Sequence, residues 1–237
     1  MDYDLYQIKI LEVTQSAVNY RKWLTRLTYP YLGDNPLEFG SGIGDYTNEL
    51  LQLGCCQLTV SENSPTRITV LQDQFLNSPN INVRQLEIEN TTDIDGACSS
   101  IVSLNTIEHL VNDGAALRDA LNALTPGGCF VAFTPTFRLL MSRFDKAVSH
   151  HRRYTKKTAR ELLTDNGFEI VTTHYVNSVG WFASLIGMRI LKITPRDSLR
   201  LKIWDKIVIP AVSRFESRIT PPFGHSILIV GQKSVKG

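Results

Sequence analysis

Glu38, Gly40, Gly42 and Gly44 alternate through Pro36-Leu37-Glu38-Phe39-Gly40-Ser41-Gly42-Ile43-Gly44-Asp45, between a short apolar run and a helically patterned stretch from Tyr46 to Leu53. Glycine admits positive φ and lets the backbone approach a ligand with no Cβ in the way. A strand, E-x-G-x-G-x-G and a helix therefore make a turn suited to a mononucleotide. The dinucleotide form, G-x-G-x-x-G, sets its third glycine three residues after the second and rests a pyrophosphate on the helix N-terminus. Here the third glycine comes two residues after the second, and the charge of Asp45 would repel a pyrophosphate. Ordinary βα turns also carry such glycines, so the neighbouring segments must decide.

A ribosyl ligand on this turn needs an acid at the end of the next strand, about twenty residues on. Glu62 closes Leu58-Thr59-Val60-Ser61 and stands eighteen positions after Gly44. Its carboxylate can accept charge-assisted hydrogen bonds from both ribose hydroxyls; a solvated glutamate at a strand end is the plainer alternative. A third strand ends in Glu87-Ile88-Glu89-Asn90. A fourth runs into Leu104-Asn105-Thr106-Ile107-Glu108-His109-Leu110, and Leu124-Thr125-Pro126-Gly127-Gly128 forms a compact turn before a fifth.

In this order the five segments resemble the class I S-adenosylmethionine-dependent methyltransferases, firmly over residues 36–134. Beyond them, Ser149-His150-His151-Arg152-Arg153-Tyr154-Thr155 is similar to the H-x-R-R-Y-T segment of a bacterial branch of that family. Asn19-Tyr20-x-x-Trp23 resembles the branch's cap over the cofactor. The resemblance implies S-adenosyl-L-methionine as cofactor, cradled by Glu38, Gly40, Gly42 and Gly44. It implies Glu62 on the ribose, Glu87 (or Glu89) on the adenine amino group, Asn105 against the methionine half and Tyr20 as cap. Glutamates replace the commoner aspartates at 62 and 87, and Ser61 precedes the ribose acid.

Elements must hold these residues in place. Strand-like runs at 57–60, 82–86, 100–104, 129–134, 168–171 and 226–231 alternate with helical spacing at 45–53, 65–76, 113–124 and 155–163. Long crossovers between strands predict a parallel α/β sheet. With the resemblance, the expected fold is Rossmann-like, a mostly parallel seven-stranded sheet flanked by helices with a helical C-terminal insertion. The chain reads as one domain, divided into an N-terminal helical cap (1–30), a cofactor-binding core (31–134) and a substrate-side region of loop, lid and final strands (135–237). Residues 5–29 suggest one or two helices before the glycine turn, and 176–220 look helical.

Methyl transfer from a sulfonium is an in-line displacement that needs alignment and exclusion of water, not a covalent enzyme intermediate. A base helps only an acceptor that starts protonated. The candidates are His109, His150, His151 and Tyr154, with a structural histidine the alternative at 109. Arg152 and Arg153 lead a basic cluster after the fifth strand that suits an anionic head, unless it is simply a solvated helix start. The expected acceptor is a small molecule with an apolar body and a phosphate, diphosphate or carboxylate head, such as a prenyl diphosphate or a lipid-linked intermediate.

Net charge is +2 and the sequence pI about 8.3, which gives no basic field for nucleic acid. The N-terminus lacks a secretory pattern. Cys55, Cys56, Cys98 and Cys129 form no C-x-x-C or zinc-type spacing, so no metal is expected and the thiols fit a cytoplasmic protein. The apolar stretch before Arg189 is too short to span a bilayer. A lid, a homodimer face or peripheral membrane contact each fits the apolar tail from Val179 to Trp204. A nicotinamide-dependent oxidoreductase is disfavoured by Asp45. A non-catalytic cofactor-binding subunit remains the other alternative.

Overall fold

The computed structural model describes residues 16–87, 96–190 and 198–235. The expectations at Leu5–Val13, at Glu89 and at residues 191–197 lie outside them. Seven strands, β1 (Pro36–Phe39), β2 (Leu58–Glu62), β3 (Ile81–Gln85), β4 (Cys98–Leu104), β5 (Leu124–Pro135), β6 (Glu169–Val176) and β7 (Ser226–Gln232), form one sheet in the order β3-β2-β1-β4-β5-β7-β6. The pairs among β1 to β5 are parallel, while β7 runs antiparallel to both β5 and β6. The sheet is thus the Rossmann-like class I methyltransferase arrangement, mostly parallel with one reversed strand.

Because side chains alternate across a strand, the central strands divide their apolar residues between two cores. Ile101, Phe130, Ala132, Ile227 and Ile229 face helices α4 (Asp113–Ala123) and α6 (Lys156–Asp165). Val102, Val131, Phe133, Leu228 and Val230 face α1 (Val18–Thr28), α2 (Asp45–Gln52), α3 (Pro65–Phe75) and α8 (Ser198–Glu216). Being buried on both faces explains why these strands read as continuous apolar runs. Thr155 caps α6 through the Thr158 N–H, as its residue type predicts.

Two elements differ from the sequence expectation. Thr125-Pro126-Gly127-Gly128 is not a separate turn but an outward bulge within β5. Cys98 pairs with Leu124 and Ser100 with Cys129, so four residues stand opposite Ser99. The loop after β5 contains a short helix, α5 (Arg143–Ala147), closed by a capping box between Ser142 and Asp145. It is followed after β6 by α7 (Ser178–Ser184), which runs on as a π-helix at Leu185–Ile190.

Candidate active site

Parallel sheets present ligands at the carboxyl ends of their strands, and the predicted residues gather there. Glu38, next to last in β1, is almost fully buried and accepts the Thr47 hydroxyl at 2.5 Å, and burial pushes its pKa up to about 7. Gly40, Gly42 and Gly44 all have positive φ. A Cβ on Gly40 would lie 2.4 Å from the Thr106 side chain, and one on Gly44 would lie 3.0 Å from Phe75. The turn is therefore closed to any larger residue at both ends.

Glu62, at the end of β2, ties the turn to the next loop. Its Oε2 accepts the Gly42 N–H at 3.0 Å, and its Oε1 accepts the Asn63 and Ser64 N–H groups and the Arg67 guanidinium at 2.8 Å. A carboxylate has about four acceptor sites, and Oε2 carries a single bond here, which leaves capacity for a ribose hydroxyl. Glu87 lies exposed just beyond β3.

The next residues at this end of the sheet follow β4. Asn105 takes a left-handed conformation, φ 54°, gives its N–H to the Phe133 carbonyl, and donates its amide to the Tyr46 hydroxyl at 3.2 Å. Tyr20 packs nearby. Its hydroxyl shares a hydrogen bond with Ser226 Oγ at 2.9 Å, and burial raises its pKa to about 12. Burial likewise raises Tyr46, with Tyr20 contributing.

Beyond Asn105 a 3-10 turn at Ile107–His109 presents Glu108 and His109. Glu108 is fully buried; its Oε2 accepts the Thr134 hydroxyl at 3.0 Å, whereas Oε1 has no hydrogen-bond partner. Burial raises its pKa to about 7 against the pull of His150. His150 comes from the loop after α5 and is oriented by Asp145, whose Oδ1 lies 2.9 Å from its Nδ1. Its Nε2 then lies 3.9 Å from Glu108 Oε1, and its ring packs edge-on against His109 with centroids 4.5 Å apart. Burial, then the neighbouring His150, lowers His109 to about 4. Burial works to raise Asp145, but bonds from His150 and Arg153 overcome it and hold that carboxyl well below the usual range.

The remaining candidates are engaged elsewhere. Arg153 is spent on Asp145 through Nε at 2.8 Å and Nη2 at 3.1 Å, and Arg152 on Asp113 and the Val111 carbonyl. Tyr154 donates its hydroxyl to Asp113 at 2.7 Å, and burial beside that acid raises its pKa, so it makes a poor base. His151 is exposed and gives its N–H to the Glu108 carbonyl. Nothing in the sequence marks a role for Glu108, within Leu104–Leu110, or for Asp145. Its offsets of five and eight residues to His150 and Arg153 follow no single helical or strand period. Around the carboxyl ends of β5 and β6, Phe137, Tyr175, Trp181, Phe182 and Phe223 pack ring on ring with centroids 5.0–6.2 Å apart.

Among curated proteins none matches the sequence. Solved structures do match. The complex of the Haloferax volcanii Trm112 methyltransferase activator with a protein described as a methyltransferase aligns at TM-score 0.67 and 14% identity, over 98% of both chains. Geranyl diphosphate methyltransferase bound to S-adenosylmethionine aligns at TM-score 0.62 and 12% identity, over 88% of this chain and 84% of that one. The [4+2]-cyclase SpnF aligns at 0.63 and 18%, over 90% and 81%. At such identities these likenesses bear on the fold. The family model described as methyltransferase domain matches residues 14–173, more than half of the 237. A turn with positive φ at all three glycines, and beside it a buried acid whose Oε2 carries a single bond, fit S-adenosylmethionine. The chain belongs to the methyltransferase domain family, as an S-adenosylmethionine-dependent methyltransferase.

Proposed function

We propose that this methyltransferase modifies a small molecule with a largely apolar body, held between the aromatic wall and the Glu108, His109 and His150 side chains. The observation that carries this reading is the wall itself. Phe137, Tyr175, Trp181, Phe182 and Phe223 gather at the carboxyl end of the sheet, the end from which the glycine turn leaves β1. The Trp181 indole nitrogen is buried there without a hydrogen-bond partner.

The cofactor supplies a methyl group on a cationic sulfur. This chain holds and orients it: Gly40, Gly42 and Gly44 admit its close approach, Glu62 receives the ribose, and Asn105 with Tyr46 and Tyr20 bounds the methionine end. Packed aromatic rings exclude water from the reacting atoms, which favours an in-line transfer. Of the four base candidates, His109 and His150 meet at the cleft and His151 and Tyr154 are left out. An anionic head such as a diphosphate remains part of the reading, and a structural neighbour acts on geranyl diphosphate. Arg152 and Arg153 are committed internally, so its counter-charge has to come from another group. Three buried free thiols, Cys55, Cys98 and Cys129, fit a reducing compartment, the cytoplasm.

The test is release of S-adenosylhomocysteine with geranyl diphosphate and with a panel of apolar alcohols and carboxylates. Trp181→Ala is expected to raise KM for an accepted compound about tenfold, with cofactor affinity unchanged. Preference for polar acceptors of similar size would count against the reading.

A further inference from the structure

We propose that Glu108, His109 and His150 form a binding site for one divalent transition cation, with a coordination position left open to an oxygen of the acceptor. Each of the three offers one ligand atom, and these atoms all lie within 4.8 Å of one another. Two imidazoles and one carboxylate suit zinc, cobalt(II) or iron(II). Three protein ligands with a free fourth position are the pattern of a catalytic rather than a structural site.

The arrangement is pre-organised, because each ligand has its other polar group anchored. His150 is held at Nδ1 by Asp145, which directs Nε2 toward Glu108. Glu108 is held at Oε2 by the Thr134 hydroxyl. His109 bonds the Val148 backbone; the Val148 N–H is already given to the Phe144 carbonyl, so the partner of the ring is the Val148 carbonyl. A carboxylate or carbonyl behind a ligating histidine is the usual support that fixes its tautomer and ring orientation.

An independent observation points the same way. Glu108 Oε1, in a residue with no exposed surface, has no hydrogen-bond partner and lies 3.9 Å from His150 Nε2. Buried acceptors are almost always satisfied, and a cation between these atoms would satisfy this one. Protein ligands bind zinc at about 2.0–2.2 Å, so a separation of 3.9 Å needs only a small closing movement. Arg153 answers the charge of Asp145 and leaves Glu108 to balance the cation. The inference departs from the expectation that no metal is involved. That expectation considered cysteines, whereas these ligands sit forty-one residues apart at positions 109 and 150. In its role, though not in the binding itself, the inference rests on the acceptor reading above. The cation would supply the positive charge that Arg152 and Arg153 do not, by binding an anionic or hydroxyl oxygen.

The experiment titrates the full chain, stripped with a chelator, with Zn2+ by calorimetry and with Co2+ by visible absorption. One ion per chain and a d–d band are expected. His150→Ala and His109→Ala should each weaken Zn2+ binding by about 100-fold, and Asp145→Asn by about 10–100-fold. Glu108→Gln keeps the Thr134 bond and provides a ligand variant should a histidine variant fail to fold. Absence of stoichiometric binding, or binding unchanged in the folded variants, overturns the site. S-adenosylmethionine is titrated into the same samples. A chain that takes the cofactor but no cation refutes this inference alone, and one that takes the cation but no cofactor refutes the methyl-transfer reading alone.

Discussion

A carboxyl group buried beside hydroxyls and no cation makes folding sensitive to pH, and Glu38, with Thr47 and Ser41, is such a group. Burial raises its pKa from 4.5 to about 7. The folded chain therefore holds this proton more tightly than the unfolded one. Between those two values folding takes up a proton, so stability falls as pH rises, by up to about 3 kcal/mol for a shift of that size. Above about pH 7 the whole penalty persists. Glu38→Gln in the ligand-free protein should raise the melting temperature at about pH 8 and leave it unchanged near pH 4.5; melting curves that stay parallel across that range would show that burial does not govern this group. Glu62 accepts four hydrogen bonds from the turn, the next loop and Arg67. Glu62→Ala should weaken S-adenosylmethionine binding by about 1–3 kcal/mol in calorimetry, and an unchanged affinity would remove it from the ribose.

Two helix starts in this molecule are met by acids distant in sequence. The N-cap of α1 is Ala17, which offers no side-chain acceptor, and its first turn has no acid. Asp205 of α8 takes over: its carboxylate accepts the Asn19 and Tyr20 N–H groups at 2.8 Å from 186 and 185 residues away. Glu216, the last residue of α8, accepts the Asn177 and Ser178 N–H groups that open α7. One helix thus holds both the α1 segment bearing Tyr20 and the α7 segment bearing Trp181 and Phe182. Asp205→Ala should lower stability by about 1–2 kcal/mol in thermal melts, the usual loss of an N-cap. It should also weaken cofactor binding through Tyr20; a loss of stability with no change in cofactor affinity would separate the cap from the site.

At the scale of the whole molecule, the last strand in sequence lies inside the sheet. β7 pairs over its length with β5 and β6, and its Ile227, Leu228, Ile229 and Val230 supply both cores. A chain ending before Ser226 would leave β6 without its neighbour and uncover apolar surface on both faces, so it should fail to give soluble folded protein on expression. The intact chain is expected to unfold in one step. Fluorescence of Trp23, Trp181 and Trp204 should change with urea at the same midpoint as far-UV circular dichroism, and separate midpoints would divide the chain into independent units.

Periodicity alone marked the strands and most of the helices, because two-sided burial writes itself as short apolar runs and helical faces as spacings of three and four. The glycine turn and Glu62 were legible for a related reason. Their roles depend on backbone conformation and on position at a strand end, and both are local in the chain. The Glu108, His109 and His150 cluster, the commitment of Arg152 and Arg153 to Asp113 and Asp145, and the capping of α1 by Asp205 were not legible. Each is a contact between residues separated by more than one element, or related by a loop that has no period. A basic run in the sequence looks free until the fold brings an acid beside it. The sequence by itself determined the sheet, the family and the cofactor. Tertiary structure decided which charges remain to meet a substrate, because only packing fixes which of them are already paired.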